Sequence, residues 1–141
     1  MAKPRPLIAI VDDEEHIRKA LKRLMVSAYL DVETFRSGAE FLDSLRTRRP
    51  DCLVLDLHMP LMNGFAVQAR LAEDQDQIPV VIITGHDSPE ARDRALVGKP
   101  VAYLCKPVND AALLDAIQLA LIHNTDPLPN QPHKREIFNE E

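Results

Sequence analysis

A short apolar run rich in β-branched residues, stopping on polar residues and giving way to helical periodicity, occurs five times along this chain and limits the folds open to it. The first run, Leu7 to Val11, halts at Asp12-Asp13-Glu14-Glu15. A run this short, apolar at every position rather than at alternate ones, suits a strand covered on both faces. Beyond it, Ile17, Ala20, Leu21, Leu24, Met25 and Ala28 recur at helical spacing opposite Arg18, Lys19, Lys22 and Arg23. That spacing predicts an amphipathic helix with an acidic first turn, as its dipole prefers.

The later units follow the same plan. Val32 to Phe35 precedes Ser37 and Glu40, a capping-box pair ahead of Phe41, Leu42 and Leu45. Cys52 to Leu55 meets Asp56, then a loop with Pro60, Asn63 and Gly64, then a helix from about Phe65 to Glu73. Val80 to Ile83 stops at Thr84-Gly85, with Ser88 placed to cap a helix that starts at Pro89. Val101 to Leu104 leads into Lys106-Pro107 and Asn109, which caps a last helix bearing Leu113, Leu114, Ile117, Ala120 and Leu121. Strands this apolar, alternating with helices, predict an α/β fold: a doubly wound, five-stranded parallel sheet with helices on both faces.

The 141 residues suffice for one core, so residues 1–123 are expected to form a single domain. From Asn124 onward the prolines at 127, 129 and 132 and the scarcity of apolar residues predict a tail or linker over 124–141. No apolar run approaches a membrane-spanning length, and the first residues lack a signal peptide's apolar stretch; a cytoplasmic location without membrane contact is the expectation. Cys52 and Cys105, each inside an apolar run, are read as two buried thiols rather than a disulfide or metal pair. A net charge of −5 disfavours nucleic-acid binding by this region alone and suits a metal cation.

In open parallel sheets, ligands bind beyond the carboxyl ends of the strands, near the point where strand order reverses. There the first strand delivers Asp12 and Asp13, the third Asp56, the fourth Thr84 and the fifth Lys106. Three neighbouring carboxylates repel one another unless a cation neutralises them. Oxygen-only ligands with open positions suit Mg²⁺, with Mn²⁺ as a substitute. A metal, a fixed ammonium, a hydroxyl and an aspartate nucleophile are the parts that phosphoryl transfer needs.

These strand ends carry a family resemblance. Through Val11-Asp12-Asp13, Leu55-Asp56-Leu57-His58-Met59-Pro60 with Asn63-Gly64, Ile83-Thr84-Gly85 and Tyr103-Leu104-Cys105-Lys106-Pro107, the chain resembles bacterial response-regulator receiver domains over roughly Leu7 to His123. The resemblance implies a flavodoxin-like strand order, 2-1-3-4-5, and a phosphoacceptor at Asp56. It implies Mg²⁺ held by Asp13, Asp56 and the backbone carbonyl of His58, with Asp12 helping directly or through water. Thr84 and Lys106 would contact the phosphoryl oxygens, and the Lys106-Pro107 bond would be cis. On phosphorylation Thr84 would move to the phosphoryl group and Tyr103 would turn inward, reshaping the surface of the fourth helix, fifth strand and fifth helix. A sensor histidine kinase or phosphotransfer protein is the implied donor, and a homodimer through the fourth and fifth helices an implied output. The style of Thr34 to Gly38 and of Lys106-Pro107-Val108 is similar to receivers that precede helix-turn-helix output domains.

Other readings exist for the same residues. Asp12 and Asp13 could merely cap the first helix, and Tyr103 could be plain core. His58 and His86, two residues after Asp56 and Thr84, could hold a softer metal or shape access for hydrolytic water. The fold could serve as a binding module that signals without phosphate, or as a Mg²⁺-dependent phosphatase. The intact acidic set speaks against the first, and His58, where common aspartate-nucleophile phosphatases carry an acid, against the second. Two departures from the family pattern are also legible. The stretch from Gly98 to Tyr103 is one residue longer than usual, with Pro100 inserted, so an unusual fourth helix and output face are expected. Ala28-Tyr29-Leu30 lacks the glycine often found after the first helix, so that connection is expected to do without a left-handed cap.

Overall fold

The computed structural model describes residues 4–125. Ten elements alternate along them: β1 (Leu7–Val11), α1 (Glu15–Ser27), β2 (Asp31–Phe35), α2 (Gly38–Ser44), β3 (Cys52–Asp56), α3 (Gly64–Glu73), β4 (Val80–Thr84), α4 (Pro89–Leu96), β5 (Ala102–Cys105) and α5 (Asp110–Thr125). The strands are all parallel, in the order β2-β1-β3-β4-β5. Helix α5 runs two residues into the stretch that composition assigns to a tail, and residues 126–141 lie outside the described part.

Every residue of β1 and β3 is buried, because these central strands are covered on both faces. Side chains alternate between two cores. Ile8 and Ile10 join Met25 of α1 and Leu113 and Ile117 of α5 on one face. Ala9 and Val11 join Phe41 of α2, Val67 of α3 and Tyr103 on the other. Strand order reverses at β1, whose neighbours β2 and β3 lead away in opposite directions. The crevice at the carboxyl ends of β1 and β3 is therefore the place this fold offers a ligand.

Three helix starts are built from the capping residues read in the sequence: Ser37 accepts from the Glu40 N–H at 3.1 Å, Ser88 from Ala91 at 3.0 Å and Asn109 from Ala112 at 2.9 Å. Asn63, read only as a loop residue, caps α3 by accepting from the Ala66 N–H at 3.0 Å. Helix α1 differs: Glu14 at its N-cap makes no side-chain capping bond, because its carboxylate is engaged by Lys106.

Three expectations need correction. Cys105 is exposed, not buried, because it ends the edge strand β5, where no further strand or helix among the described residues covers it; Cys52 alone is a core thiol. Tyr29 takes a left-handed backbone (φ 62°), so the cap after α1 forms without glycine. The Leu30 N–H donates to Met25 O at 3.0 Å and the Tyr29 N–H to Val26 O at 3.0 Å, the paired bonds of a Schellman turn. Strand β5 starts at Ala102, one residue later than its apolar run suggests. The insertion before it leaves Pro100 buried and puts the left-handed turn after α4 on Lys99 (φ 55°) instead of on Gly98.

Candidate functional site

Side chains that water would normally claim are buried at the carboxyl edge of the sheet. Asp12 and Thr84 are 0% exposed and Asp56 is 2% exposed. The strands put them there: Val11, the last residue of β1, is in register with Leu55, next to Asp56, and Asp56 is in register with Ile83, next to Thr84. Asp12, Asp13 and Asp56 converge with one carboxylate oxygen each within 4.8 Å of the others, while Asp13 stays exposed at the mouth. Gly64 closes the floor. Its N–H donates to Leu57 O at 2.9 Å, and a Cβ there would stand 2.5 Å from Asp56 O.

Lys106 reaches over this cluster from the end of β5. Its Nζ is 2.9 Å from Asp12 Oδ2, 3.1 Å from Glu14 Oε1 and 3.6 Å from Asp56 Oδ2. Burial works against the ammonium's charge, but the carboxylates of Asp12, Asp56 and Glu14 outweigh it and hold its pKa above the usual lysine value. The Lys106-Pro107 peptide bond is cis.

One ammonium does not balance three acids. Burial first, and the Asp12 charge second, push Asp56 up to about 7 against the partial relief from Lys106. Asp12 is also raised, chiefly by burial, although the Glu14 N–H donates to its Oδ1 at 2.9 Å. Its other oxygen, Oδ2, is buried and faces the Lys106 ammonium at 2.9 Å, with no second partner among the described residues. An excess of negative charge over one ammonium, carried by oxygen donors only and gathered within 4.8 Å, fits a hard divalent cation such as Mg²⁺.

Around the acids stands a ring of histidine and threonine. Thr84 Oγ1 accepts from the His86 N–H at 3.1 Å and lies 3.1 Å from His58 Nδ1. The His58 N–H points at Asp56 Oδ1 at 3.4 Å, and its ring meets the His86 ring edge-on with centroids 4.9 Å apart. Burial, then His86 and Lys106, lower the His58 pKa.

Tyr103 is buried, and its hydroxyl donates to Asp87 Oδ1 at 2.9 Å while the Arg92 guanidinium lies 4.7 Å from the ring centroid. Burial, then the Asp87 carboxylate, raise the phenol's pKa. The tyrosine is thus already turned inward here, tied to the loop between β4 and α4. All the residues predicted for the site, Asp12, Asp13, Asp56, His58, Thr84 and Lys106, meet at one edge, with Tyr103 one strand position behind Leu104 on β5. Sequence reasoning missed Glu14 as a partner of Lys106, which lies 92 residues away, and Asp87 as the anchor of Tyr103. Neither carries a local signal, since each is one acid in a polar loop.

Residues 8–118 match the response regulator receiver domain family. The chain belongs to that family. This receiver is 35% identical over 131 residues to the response regulator protein TodT of Pseudomonas putida, a match covering 93% of this chain and 58% of TodT. The chain thus spans less than two thirds of the length of the curated relatives it matches. Among solved structures it is similar to the response regulator StyR, at 40% identity and a TM-score of 0.77, covering 86% of this chain and 61% of that one. It is also similar to the signal receiver domain of an HD domain-containing protein from Pseudomonas fluorescens Pf-5, at 29% identity and a TM-score of 0.81, covering 86% and 98%. The sheet order of this receiver is the one that the resemblance implied. No helix among its described residues is long and apolar enough to cross a membrane.

Proposed function

We propose that this receiver accepts a phosphoryl group on the Asp56 carboxylate from the phosphohistidine of a sensor kinase or phosphotransfer protein, in a Mg²⁺-dependent reaction in the cytoplasm. The observation that carries the reading is the convergence of Asp12, Asp13 and Asp56 within 4.8 Å beside the Lys106 ammonium. When bound, the ion would neutralise this cluster and offer a phosphoryl group a charge partner. Asp13, Asp56 and the His58 carbonyl are the proposed ligands, with Asp12 helping directly or through water.

Asp56 is the nucleophile. A carboxylate oxygen forms a bond to phosphorus as the phosphorus–nitrogen bond of the donor breaks, and the electron pair leaves with the imidazole. For that, Asp56 must be ionised, and Lys106 at 3.6 Å favours the charged form. Lys106 would then exchange its carboxylate partners for a phosphoryl oxygen, and Thr84 would donate its hydroxyl to another. Tyr103 and Asp87 tie this site to the start of α4, giving a route by which movement of Thr84 reshapes the face made by α4, β5 and α5. That face is the proposed output, for a partner or for a homodimer through α4 and α5. The stretch after α5, residues 126–141, is proposed as a tail or linker.

Incubation of the chain with acetyl phosphate and Mg²⁺, followed by intact mass, tests the reading. One added phosphoryl group that does not form when the metal is chelated before the donor is added, and is absent from Asp56→Asn, is the expected result. An unmodified wild type would sink it.

A further inference from the structure

The hydroxyl of Thr84 has one proton, and the hydrogen bonds around it dictate where that proton points. Thr84 is 0% exposed, so its donor cannot turn to bulk water. Its oxygen already accepts from the His86 N–H at 3.1 Å, and the other side-chain partner among the described residues is His58 Nδ1 at 3.1 Å. Were Nδ1 protonated, both neighbours would donate to the oxygen and the buried hydroxyl proton would have no acceptor, a loss that buried donors rarely sustain. With the ring proton on Nε2, each group is satisfied: the His86 N–H donates to Oγ1, and Oγ1–H donates to Nδ1.

We infer that His58 is a positioning residue that holds the Thr84 hydroxyl proton away from the phosphoacceptor in the resting state and competes with a phosphoryl oxygen for it. The ring is well placed to do so. It rises from the residue two positions beyond Asp56, and the His86 ring at 4.9 Å and the Phe65 ring at 6.4 Å flank it edge-on. Breaking the bond costs the imidazole little, because His58 is exposed and its freed nitrogen can turn to water. Thr84, by contrast, is buried and changes one acceptor for another. The pair is therefore a two-position latch, with the proton on His58 or on the phosphoryl group. This inference rests on the phosphoacceptor reading of Asp56.

Titration of the full chain with beryllofluoride in saturating Mg²⁺ measures the competition. His58→Ala removes the resting acceptor and is expected to bind the mimic about fivefold more tightly, the net worth of one neutral hydrogen bond. His58→Asn, whose amide oxygen can stand where Nδ1 stands, is expected to restore the wild-type affinity. In a Thr84→Ala background the change His58→Ala should have no effect, which a merely structural role for the ring would not predict. Unchanged or weakened binding in His58→Ala, or a gain that persists without the Thr84 hydroxyl, overturns the latch. A wild type that binds no beryllofluoride overturns the phosphoacceptor reading, and the competition with it. Nitrogen-15 NMR of the metal-free chain separates the two: an Nε2–H tautomer at His58 is expected, and an Nδ1–H tautomer contradicts the resting bond whatever Asp56 does.

Discussion

Asp56 is buried in a place that penalises its charge, and this links its protonation to folding. Its folded pKa, pushed up to about 7 by burial and by Asp12, lies above the unfolded value of 3.8. Between those values the folded state binds the proton and the unfolded state does not, so stability falls as pH rises from about 4 to about 7. The metal-free chain is expected to melt at a higher temperature at pH 5.5 than at pH 8, the Asp56 contribution being on the order of a few kcal/mol. Asp56→Asn should flatten that dependence and raise the melting temperature at pH 8, and adding Mg²⁺ should raise it more at pH 8 than at pH 5.5. Calorimetry at the two pH values would decide; a wild type and an Asp56→Asn variant with parallel profiles would contradict it. Gly64 belongs to the same scale. A Cβ there would press into the Asp56 carbonyl at 2.5 Å, which is backbone and cannot swing aside. Gly64→Ala is expected to cost roughly 2 kcal/mol or more in urea unfolding.

At the scale of elements, the edge strand and the turn before it behave differently from the central ones. Cys105 at the end of β5 is exposed, while Cys52 in β3 is 0% exposed with its thiol pushed up to about 12 by burial. A thiol reagent should therefore modify one cysteine in the native chain, at Cys105, and reach Cys52 only on unfolding. Labelling of Cys52 at the native rate would contradict the burial. The sequence could not separate the two, because both lie in apolar runs; what differs is whether another element covers the strand, and that is decided by topology. The left-handed residues teach a similar lesson. Tyr29 and Lys99 adopt positive φ where glycine would be at ease, because the Schellman bonds of α1 and the insertion of Pro100 before β5 fix the chain there. Lys99→Gly is expected to stabilise the fold by up to about 1 kcal/mol, read as an increased urea midpoint.

Across the whole molecule, the five-unit rhythm and the residues ending each strand were readable from the sequence, because a parallel sheet buries its strands outright and delivers their ends to one edge. Strand ends carry local signals: an apolar run, then Asp, Thr or Lys. What was not readable is how the loops close over that edge. Glu14 meets Lys106 across 92 positions and Asp87 meets the Tyr103 hydroxyl across 16, and no spacing rule marks such pairs. The Thr84 and His58 contact belongs with them, since it depends on two loops arriving at one height. The match over residues 8–118 establishes the receiver family, and within it the proposed standing of Asp56 as phosphoacceptor rests on the cluster it forms with Asp12, Asp13 and Lys106. Borohydride reduction puts that standing to the most direct test, because it converts an aspartyl phosphate to homoserine and leaves free carboxylates alone. After treatment with acetyl phosphate and Mg²⁺, peptide sequencing should find homoserine at position 56 and nowhere else. Homoserine at position 12 or 13, or none at all, would contradict the account.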